Sequence, residues 1–260
     1  MTSRTLRLSD GGTVRVLEAG AGEPLLLIHG VGLRAEAWGP QMRLEAHVIA
    51  VDMPGHGESS HLPAGAGLPE YVAWAARVIE ALGLGAVNVA GHSMGSLISA
   101  GLAIERPDLV KRVALLNAVH RRSPEARAAV LGRAAEIAAG GGSIEAPLSR
   151  WFTAAEAATR EQVAGWLRAV NPKGYATAYR AFAEGDGVYS DRLNEIRCPA
   201  LFLTGDGDPN STPAMTHTMA GMVQHGRAVV IEGHRHMVNL TSPRAVSAGL
   251  RDWLALEATR

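Results

Sequence analysis

Cysteine is nearly absent from this sequence of 260 residues, in which Cys198 is the only one. A single cysteine excludes a disulfide within the chain and suits a reducing compartment, so we expect a cytoplasmic protein. Cys198 stands directly before the apolar run 199–204. We therefore interpret its thiol as part of the core and not as a nucleophile.

A surplus of charge and long apolar runs are missing as well. Lys and Arg together number 25, as do Asp and Glu, so the formal net charge is zero. Without a basic surplus we expect neither nucleic acid nor an anionic membrane as a partner. No segment approaches the roughly 18 apolar residues of a membrane span. Residues 1–5 also lack the apolar region of a signal peptide.

Hydrophobic residues make up 47% of the chain, which is enough for a large core. Two predicted strands, 6–8 and 13–17, flank a turn at Asp10, Gly11 and Gly12 and form a hairpin. Apolar runs predict further strands over 24–28, 47–51, 86–90, 112–117, 199–204 and 227–231. Helical patterns at 69–82 and 96–106 alternate with these strands. This alternation predicts an α/β fold with a mostly parallel sheet flanked by helices.

The alternation stops after the sixth predicted strand. Over 119–195 we find no convincing strand, and three helices are predicted instead, over 123–139, 154–170 and 174–183. We therefore predict a core formed by 1–118 and 196–260, with 119–195 as a helical insertion between two strands of one sheet.

The motif GHSMG at 91–95 lies between a predicted strand and a predicted helix that Pro107 ends. A strand, a tight turn with serine, and a helix together are typical of a nucleophile elbow. The flanking glycines permit the close approach of neighbouring chain, and the turn lifts the Ser93 hydroxyl clear of the sheet. The amide of Met94, at the helix start, is placed to stabilise an oxyanion.

A serine hydroxyl needs a base, and the base needs an orienting acid. Acids follow the strand at 199–204 and histidines follow the strand at 227–231. Each group is thus expected at the carboxyl ends of the strands, where an open α/β sheet places its site. The residues alone leave Asp206 and Asp208 as candidate acids, and His234 and His236 as candidate bases.

The loop after the strand 24–28 carries glycines and is the expected source of a second oxyanion donor, for which we choose the amide of Val31. The alternative is an ordinary strand-exit turn, and both interpretations can hold together. Asp52 and His56, in the next loop, are interpreted as residues that shape it, because better triad candidates come later in the chain.

These motifs together resemble those of the α/β-hydrolase fold superfamily over essentially the full length. The motifs are HGVG at 29–32, DMPGHGES at 52–59, GHSMG at 91–95, GDGDPNSTP at 205–213 and HRHMVNLTSP at 234–243. Short motifs at 150–153 and 171–175 are most similar to small lactonases and esterases of the 3-oxoadipate enol-lactonase type. The resemblance implies an eight-stranded, mostly parallel sheet and a helical cap, inserted after the sixth strand, that covers the site.

The family's spacing implies specific triad members. Its acid lies three residues after the glycine that ends the strand, here Gly205, which gives Asp208. Its proline follows the catalytic histidine by seven residues, and Pro243 stands seven after His236. The chain departs from the commoner pattern by one extra residue in the acid loop and by the histidine at position 234.

The sequence therefore predicts a cofactor-free serine hydrolase of a small carboxylic ester or lactone. Ser93, His236 and Asp208 would form the triad, and the amides of Val31 and Met94 the oxyanion hole. Alternatives with the same residues are amide or carbon–carbon bond hydrolysis, cofactor-free peroxidase or perhydrolase activity, and a ligand sensor with slow turnover. We expect a monomer or homodimer that binds a small-molecule substrate.

Metal and nucleotide sites are not expected. The two histidines at 234–236 could share a ligand face on an extended segment, but no other cluster has suggestive spacing. No G-x-G-x-x-G follows a predicted strand, so a dinucleotide cofactor has no support.

The predicted cap holds much of the chain's aromatic and arginine content. It offers Trp151, Phe152, Trp166, Tyr175, Tyr179, Arg150, Arg168 and Arg180, and Arg34 follows the oxyanion loop. From these we choose Arg34, Trp151 and Tyr175 as substrate-binding residues for a small acidic ester or lactone, because an inward arginine recognises a carboxylate. The alternative is that the aromatics pack the cap onto the core and every arginine faces water.

Overall fold

One sheet of eight strands organises the computed structural model, which describes residues 1–258. The strands are β1 Thr2–Arg7, β2 Thr13–Ala19, β3 Pro24–Ile28, β4 His47–Val51, β5 Val87–His92, β6 Val110–Leu116, β7 Ala200–Gly205 and β8 Gly226–Ile231. Their spatial order is β1-β2-β4-β3-β5-β6-β7-β8. Only the pairs β1–β2 and β2–β4 are antiparallel among the described strands, so seven strands run the same way and β2 runs opposite to them. The predicted α/β fold with a mostly parallel eight-stranded sheet is confirmed.

Helices occupy most of the connections. They are α1 Leu68–Leu82, α2 Met94–Glu105, α3 Pro124–Ala138, α4 Glu145–Trp151, α5 Ala157–Ala169, α6 Pro172–Gly185, α7 Pro213–Met222, α8 Val238–Thr241 and α9 Pro243–Leu254. 3-10 segments lie at Ala35–Arg43, Pro107–Leu109, Ala154–Glu156 and Ser190–Glu195. Within residues 1–258, no helix combines the length and hydropathy needed to cross a membrane.

The central strand β3 is apolar throughout because both faces of the sheet are covered. In β3, Leu26 and Ile28 belong to the core on one face, whereas Leu25 and Leu27 belong to the core on the other. The first core includes residues of α1, α2 and α7, and the second includes residues of the 3-10 segment at Ala35–Arg43 and of α9. Burial of each large aliphatic side chain contributes about 1.5–3 kcal/mol, so this two-sided packing fixes the strand register.

The helices α3 to α6 all lie between β6 and β7, the segment predicted to be an insertion. α3 packs against α6. A separate apolar cluster joins Trp151 and Leu167 of this segment to Leu33 and Met237, which belong to loops at the carboxyl ends of the sheet strands. The insertion therefore covers the edge of the sheet where the predicted site residues lie.

Some local predictions differ from the structure. Residues 35–46, whose sequence is compatible with a helix interrupted near Gly39 and Pro40, form a 3-10 helix over Ala35–Arg43, with Pro40 inside it and an extended residue after it. α4 and α8 were not expected from the sequence, because α8 spans only four residues and α4 only seven. Segments this short carry little periodicity.

Candidate active site

The turn between β5 and α2 holds Ser93 in an unusual backbone conformation, with φ 54° and ψ −115°. A positive φ is uncommon for a residue with a side chain and persists only when the surroundings enforce it. Here they do. A Cβ on Gly91 would lie 2.0 Å from the Gly95 carbonyl oxygen, and a Cβ on Gly95 would lie 2.1 Å from that of Ile28. The amide of Ser93 also donates to the Leu116 carbonyl at 2.8 Å.

The structure brings the three predicted triad residues into one hydrogen-bonded chain. The Ser93 Oγ lies 3.0 Å from His236 Nε2, and His236 Nδ1 lies 2.7 Å from Asp208 Oδ2. The residues follow β5, β8 and β7 respectively, and all are buried. A neutral histidine that donates its Nδ1–H to the carboxylate presents the unprotonated Nε2 to the serine as a base. This arrangement activates a hydroxyl.

Asp208 is held as an anion by its surroundings. Burial alone would raise its pKa, but the charge and hydrogen bond of His236 outweigh burial and lower it, helped by two further donors. These donors are the side-chain amide of Asn117 at 2.8 Å and the backbone amide of Asn210 at 2.8 Å. Asn117 directly follows β6 with φ 50°, and its side-chain amide cannot supply a carboxylate. It is instead a donor to the acid, a role that spacing did not reveal.

The competing candidates lie apart from the serine. Asp206 is exposed and accepts a hydrogen bond from the amide of Gly233 at 2.8 Å. The His234 Nδ1 lies 3.0 Å from the hydroxyl of Thr241 and 3.5 Å from a carboxylate oxygen of Glu156. Both residues thus join loops to each other rather than reaching Ser93. Within residues 1–258, no three His, Cys, Asp or Glu side chains come together as a metal site.

The loop after β3, which contains Val31, is positioned by polar side chains from the loop after β4. His56 Nε2 accepts from the amide of Gly32 at 2.9 Å, and Asp52 Oδ1 accepts from the amide of Ala35 at 2.7 Å. Asp52 is fully buried and also pairs with Arg15 at 3.2 Å. The interpretation of Asp52 and His56 as loop-shaping residues is confirmed. Met94, whose amide is the other predicted oxyanion donor, is the first residue of α2.

Three further histidines, in the loops after β3 and β4 and at the end of β5, are buried and neutral. Burial lowers the pKa of His29 to about 4, and the pKa values of His56 and His92 to about 3. Each uses its neutral ring in a specific contact. His29 Nε2 accepts from the amide of Met53 at 2.9 Å, and His92 Nε2 donates to the carbonyl of His236 at 2.8 Å. The backbone of the proposed base is therefore held from the opposite side of the site.

A cavity of about 120 Å³ opens onto Ser93 and His236. Its wall is mostly apolar and includes Val31, Val119, Val130, Pro147, Trp151, Tyr179, Phe182 and Met215. The ring of Trp151 stacks on that of His236, with centroids 5.7 Å apart and planes 26° apart. The insertion thus supplies one wall of the cavity and the β-sheet loops supply its base.

The three predicted substrate-binding residues differ in their position relative to the cavity. Trp151 lines the cavity, whereas Arg34 and Tyr175 do not. The guanidinium of Arg34 is bound by Glu36, two residues further on, with Nε 2.7 Å from Oε2. The ring of Tyr175 lies over Gly32, where an added Cβ would come within 3.0 Å of it, so it packs the insertion onto the oxyanion loop. Arg34 and Tyr175 therefore lie outside the cavity wall, and a role for them in substrate binding stays a prediction.

Two arginines do line the cavity, Arg122 and Arg150. Arg150 is exposed, but the side chain of Arg122 is only 6% exposed and pairs with buried Asp186 at 3.0 Å. Arg150 was among the arginines singled out from the sequence, whereas Arg122 was not. Asp186, the partner of Arg122, lies 64 residues further along the chain, and no local pattern links the two.

The buried neutral histidines predict a specific loss of stability in mild acid. Unfolded histidines protonate near pH 6.5, whereas His29, His56 and His92 stay neutral to about pH 4 or below. Below pH 6.5 the unfolded state then binds more protons than the native state. The free energy of unfolding is therefore highest above pH 6.5 and falls toward pH 4.5, by up to about 1.4 kcal/mol per pH unit for each histidine.

Urea unfolding at pH 7, 6 and 5 measures this slope. The variant His92→Gln keeps a donor for the His236 carbonyl but cannot titrate, so its slope should be smaller by about 1.4 kcal/mol per pH unit. The matched control His217→Gln changes an exposed histidine and should keep the wild-type slope. A free energy of unfolding that is flat between pH 7 and 5 would contradict the prediction.

Comparisons with known proteins agree with this fold. The model of the alpha/beta hydrolase family matches residues 25–248. The (E)-2-((N-methylformamido)methylene)succinate hydrolase of Acinetobacter baylyi is 54% identical over 259 residues, which cover 98% of each chain. Among solved structures, a malate-bound esterase from Thermogutta terrifontis has a TM-score of 0.88 at 25% identity and covers 98% of both chains. The enol-lactonase of Burkholderia xenovorans LB400 has a TM-score of 0.86 at 24% identity, covering 97% of this chain and 100% of that one. The chain therefore belongs to the alpha/beta hydrolase family.

Proposed function

We propose that this hydrolase cleaves a carbonyl–nitrogen or carbonyl–oxygen bond through an acyl-enzyme on Ser93. The observation that carries the proposal is the buried hydrogen-bonded chain from Asp208 through His236 to Ser93, which ends in the cavity. His236 Nε2 takes the hydroxyl proton as Ser93 Oγ attacks the carbonyl carbon. The amides of Val31 and Met94 donate to the oxyanion that forms.

The second half of the reaction reuses the same atoms. Protonated His236 gives its proton to the leaving nitrogen or oxygen, and the bond to the acyl carbon breaks. Water then loses a proton to His236, attacks the acyl carbon and releases the acid, while Ser93 recovers its proton. Asp208 stabilises the imidazolium in both halves, because its own carboxyl stays ionised.

The substrate we propose is an N-acyl enamine that carries carboxylates. The relative from Acinetobacter baylyi is named for a succinate with a methylene-linked N-methylformamide, and it is 54% identical over almost the whole of both chains. Hydrolysis of such a formamide consumes one water and yields formate and the N-methyl enamine. The nitrogen lone pair is shared with the alkene and its carboxylate, so the amide bond is weaker and the leaving group better than in an ordinary amide. A serine triad suits this reaction.

The predicted ester or lactone activity is a second candidate with the same chemistry. It is supported by the apolar cavity wall and by the esterase from Thermogutta terrifontis, which is 25% identical over nearly the full length. An ester oxygen leaves more readily than a nitrogen, so a triad that cleaves an amide also accepts esters that fit the cavity. We therefore expect turnover of short p-nitrophenyl esters as a side activity.

Formate release tests the substrate proposal directly. Purified protein is given (E)-2-((N-methylformamido)methylene)succinate, and formate is measured with a coupled dehydrogenase. We expect turnover with a kcat/KM well above that for p-nitrophenyl acetate. Ser93→Ala should show neither activity and an unchanged Tm, because its hydroxyl contacts only His236 in the triad. Ester turnover without formate would leave the esterase alternative standing and reject the enamide.

The acid assignment has its own test. Asp208→Asn should lower kcat by on the order of 10⁴, because an amide at this position favours the wrong imidazole tautomer. Asp206→Asn is the matched control two residues away. It removes an acceptor from an exposed loop contact and should change kcat by less than about threefold. Steady-state kinetics on a p-nitrophenyl ester measure both, and a larger loss for Asp206→Asn would show that the acid was misassigned.

A further inference from the structure

Arg122 is buried in the wall of the active-site cavity and its hydrogen bonding is incomplete. Its side chain is 6% exposed. Nη1 donates to Asp186 Oδ1 at 3.0 Å and lies 3.4 Å from the carbonyl oxygens of Phe182 and Ala183. Nη2 is buried and has no hydrogen-bond partner within residues 1–258. The guanidinium lies over the ring of Phe182, 4.4 Å from its centroid.

An unpaired donor of this kind is costly. A buried N–H without a partner costs about 1–3 kcal/mol, and more when the group is charged. Arginine cannot avoid the cost by releasing its proton. Buried polar groups are paired in the great majority of cases, so an unpaired donor on a residue that lines the cavity indicates a partner that arrives with the ligand.

Asp186 does not supply the missing acceptor, because its oxygens are already engaged. Oδ2 accepts from the backbone amide of Arg122 at 2.8 Å, and Oδ1 accepts from Arg127 Nη1 at 2.9 Å as well as from Arg122 Nη1. One carboxylate therefore serves two guanidinium groups. This part of the cavity wall keeps a net positive charge, to which Arg150 adds at the rim.

We propose that Arg122 binds a carboxylate of the substrate through Nη2 and so sets the specificity of the site for acids. The proposal rests on the proposed function only in that it names the anion as a substrate carboxylate. Asp186 and the Phe182 ring hold the guanidinium in place before the ligand arrives, which lowers the entropy lost on binding. With the carboxylate on Arg122, the rest of a small substrate extends across the apolar wall toward Ser93 and His236, which line the same cavity.

The test measures binding and needs no turnover. Isothermal titration calorimetry follows itaconate (methylenesuccinate), which keeps both carboxylates of the proposed substrate and lacks the amide. Dimethyl itaconate is the neutral probe. Arg122→Met should weaken itaconate binding by about 10- to 100-fold, the range for loss of a hydrogen bond to a charged group. Arg122→Lys should weaken it less, since it keeps the charge and loses the planar fork.

The matched control is Arg121→Met, which changes the neighbouring exposed arginine that pairs with Asp191 outside the cavity. Its affinity for itaconate should equal that of the wild type. Dimethyl itaconate should bind all four proteins alike. If the Tm shows that Arg122→Met is unfolded, the comparison is made with Arg122→Lys. This variant is expected to fold because it keeps a cation beside Asp186.

Equal itaconate affinity in the wild type and in the folded Arg122 variant would overturn the proposal, as would an absence of itaconate binding to the wild type. A loss of itaconate affinity in Arg150→Met alone would also overturn it and would show that Arg150, at the rim, binds the anion. The outcome is separable from that of the proposed function. Arg122-dependent itaconate binding without formate release would reject the enamide substrate and keep the carboxylate site. Formate release together with itaconate binding that does not depend on Arg122 would support the enamide substrate and reject the carboxylate site.

Discussion

The close approach of the β5–α2 turn to β3 is the constraint on which the site depends. There is no room for a side chain at position 91 or 95, since a Cβ there would lie about 2 Å from a backbone carbonyl. The packing forces Ser93 into a positive φ, at a cost of about 1–3 kcal/mol. The apolar cores on both faces of the sheet hold the strands that impose this geometry, so stability of the whole domain offsets strain at one residue.

Polar groups around the site divide into three electrostatic roles. Asp208 is an anion with donors on both oxygens, so it can orient and stabilise His236. The buried histidines His29 and His92 are neutral, and they position backbone without placing a second positive charge beside the base. In the cavity wall, positive charge lies on Arg122 and Arg150. The anionic substrate that we propose would be attracted to these arginines and not to the triad.

Much of this site could be predicted from the sequence, because its residues directly follow predicted strands whose carboxyl ends meet at one edge of the sheet. The serine, acid and histidine each follow an apolar run, and the position of Pro243 separated His236 from His234. Arg122 and Asn117 were missed as contributors since their partners, Asp186 and Asp208, are distant in the chain. Arg34 was predicted to bind substrate, but Glu36 binds its guanidinium and Arg34 does not line the cavity. Spacing in the sequence predicts at which strand end a residue lies, but not which distant residue its side chain contacts.

The central claim is that Ser93 becomes acylated during turnover. Rapid quenching of the protein during hydrolysis of p-nitrophenyl acetate, followed by digestion and mass spectrometry, tests it most directly. The account predicts an acetyl group on the peptide that contains residues 91–95, localised to Ser93, at a level that follows the burst of nitrophenol. An acetyl group on another residue, or a burst with no adduct on this peptide, would contradict it.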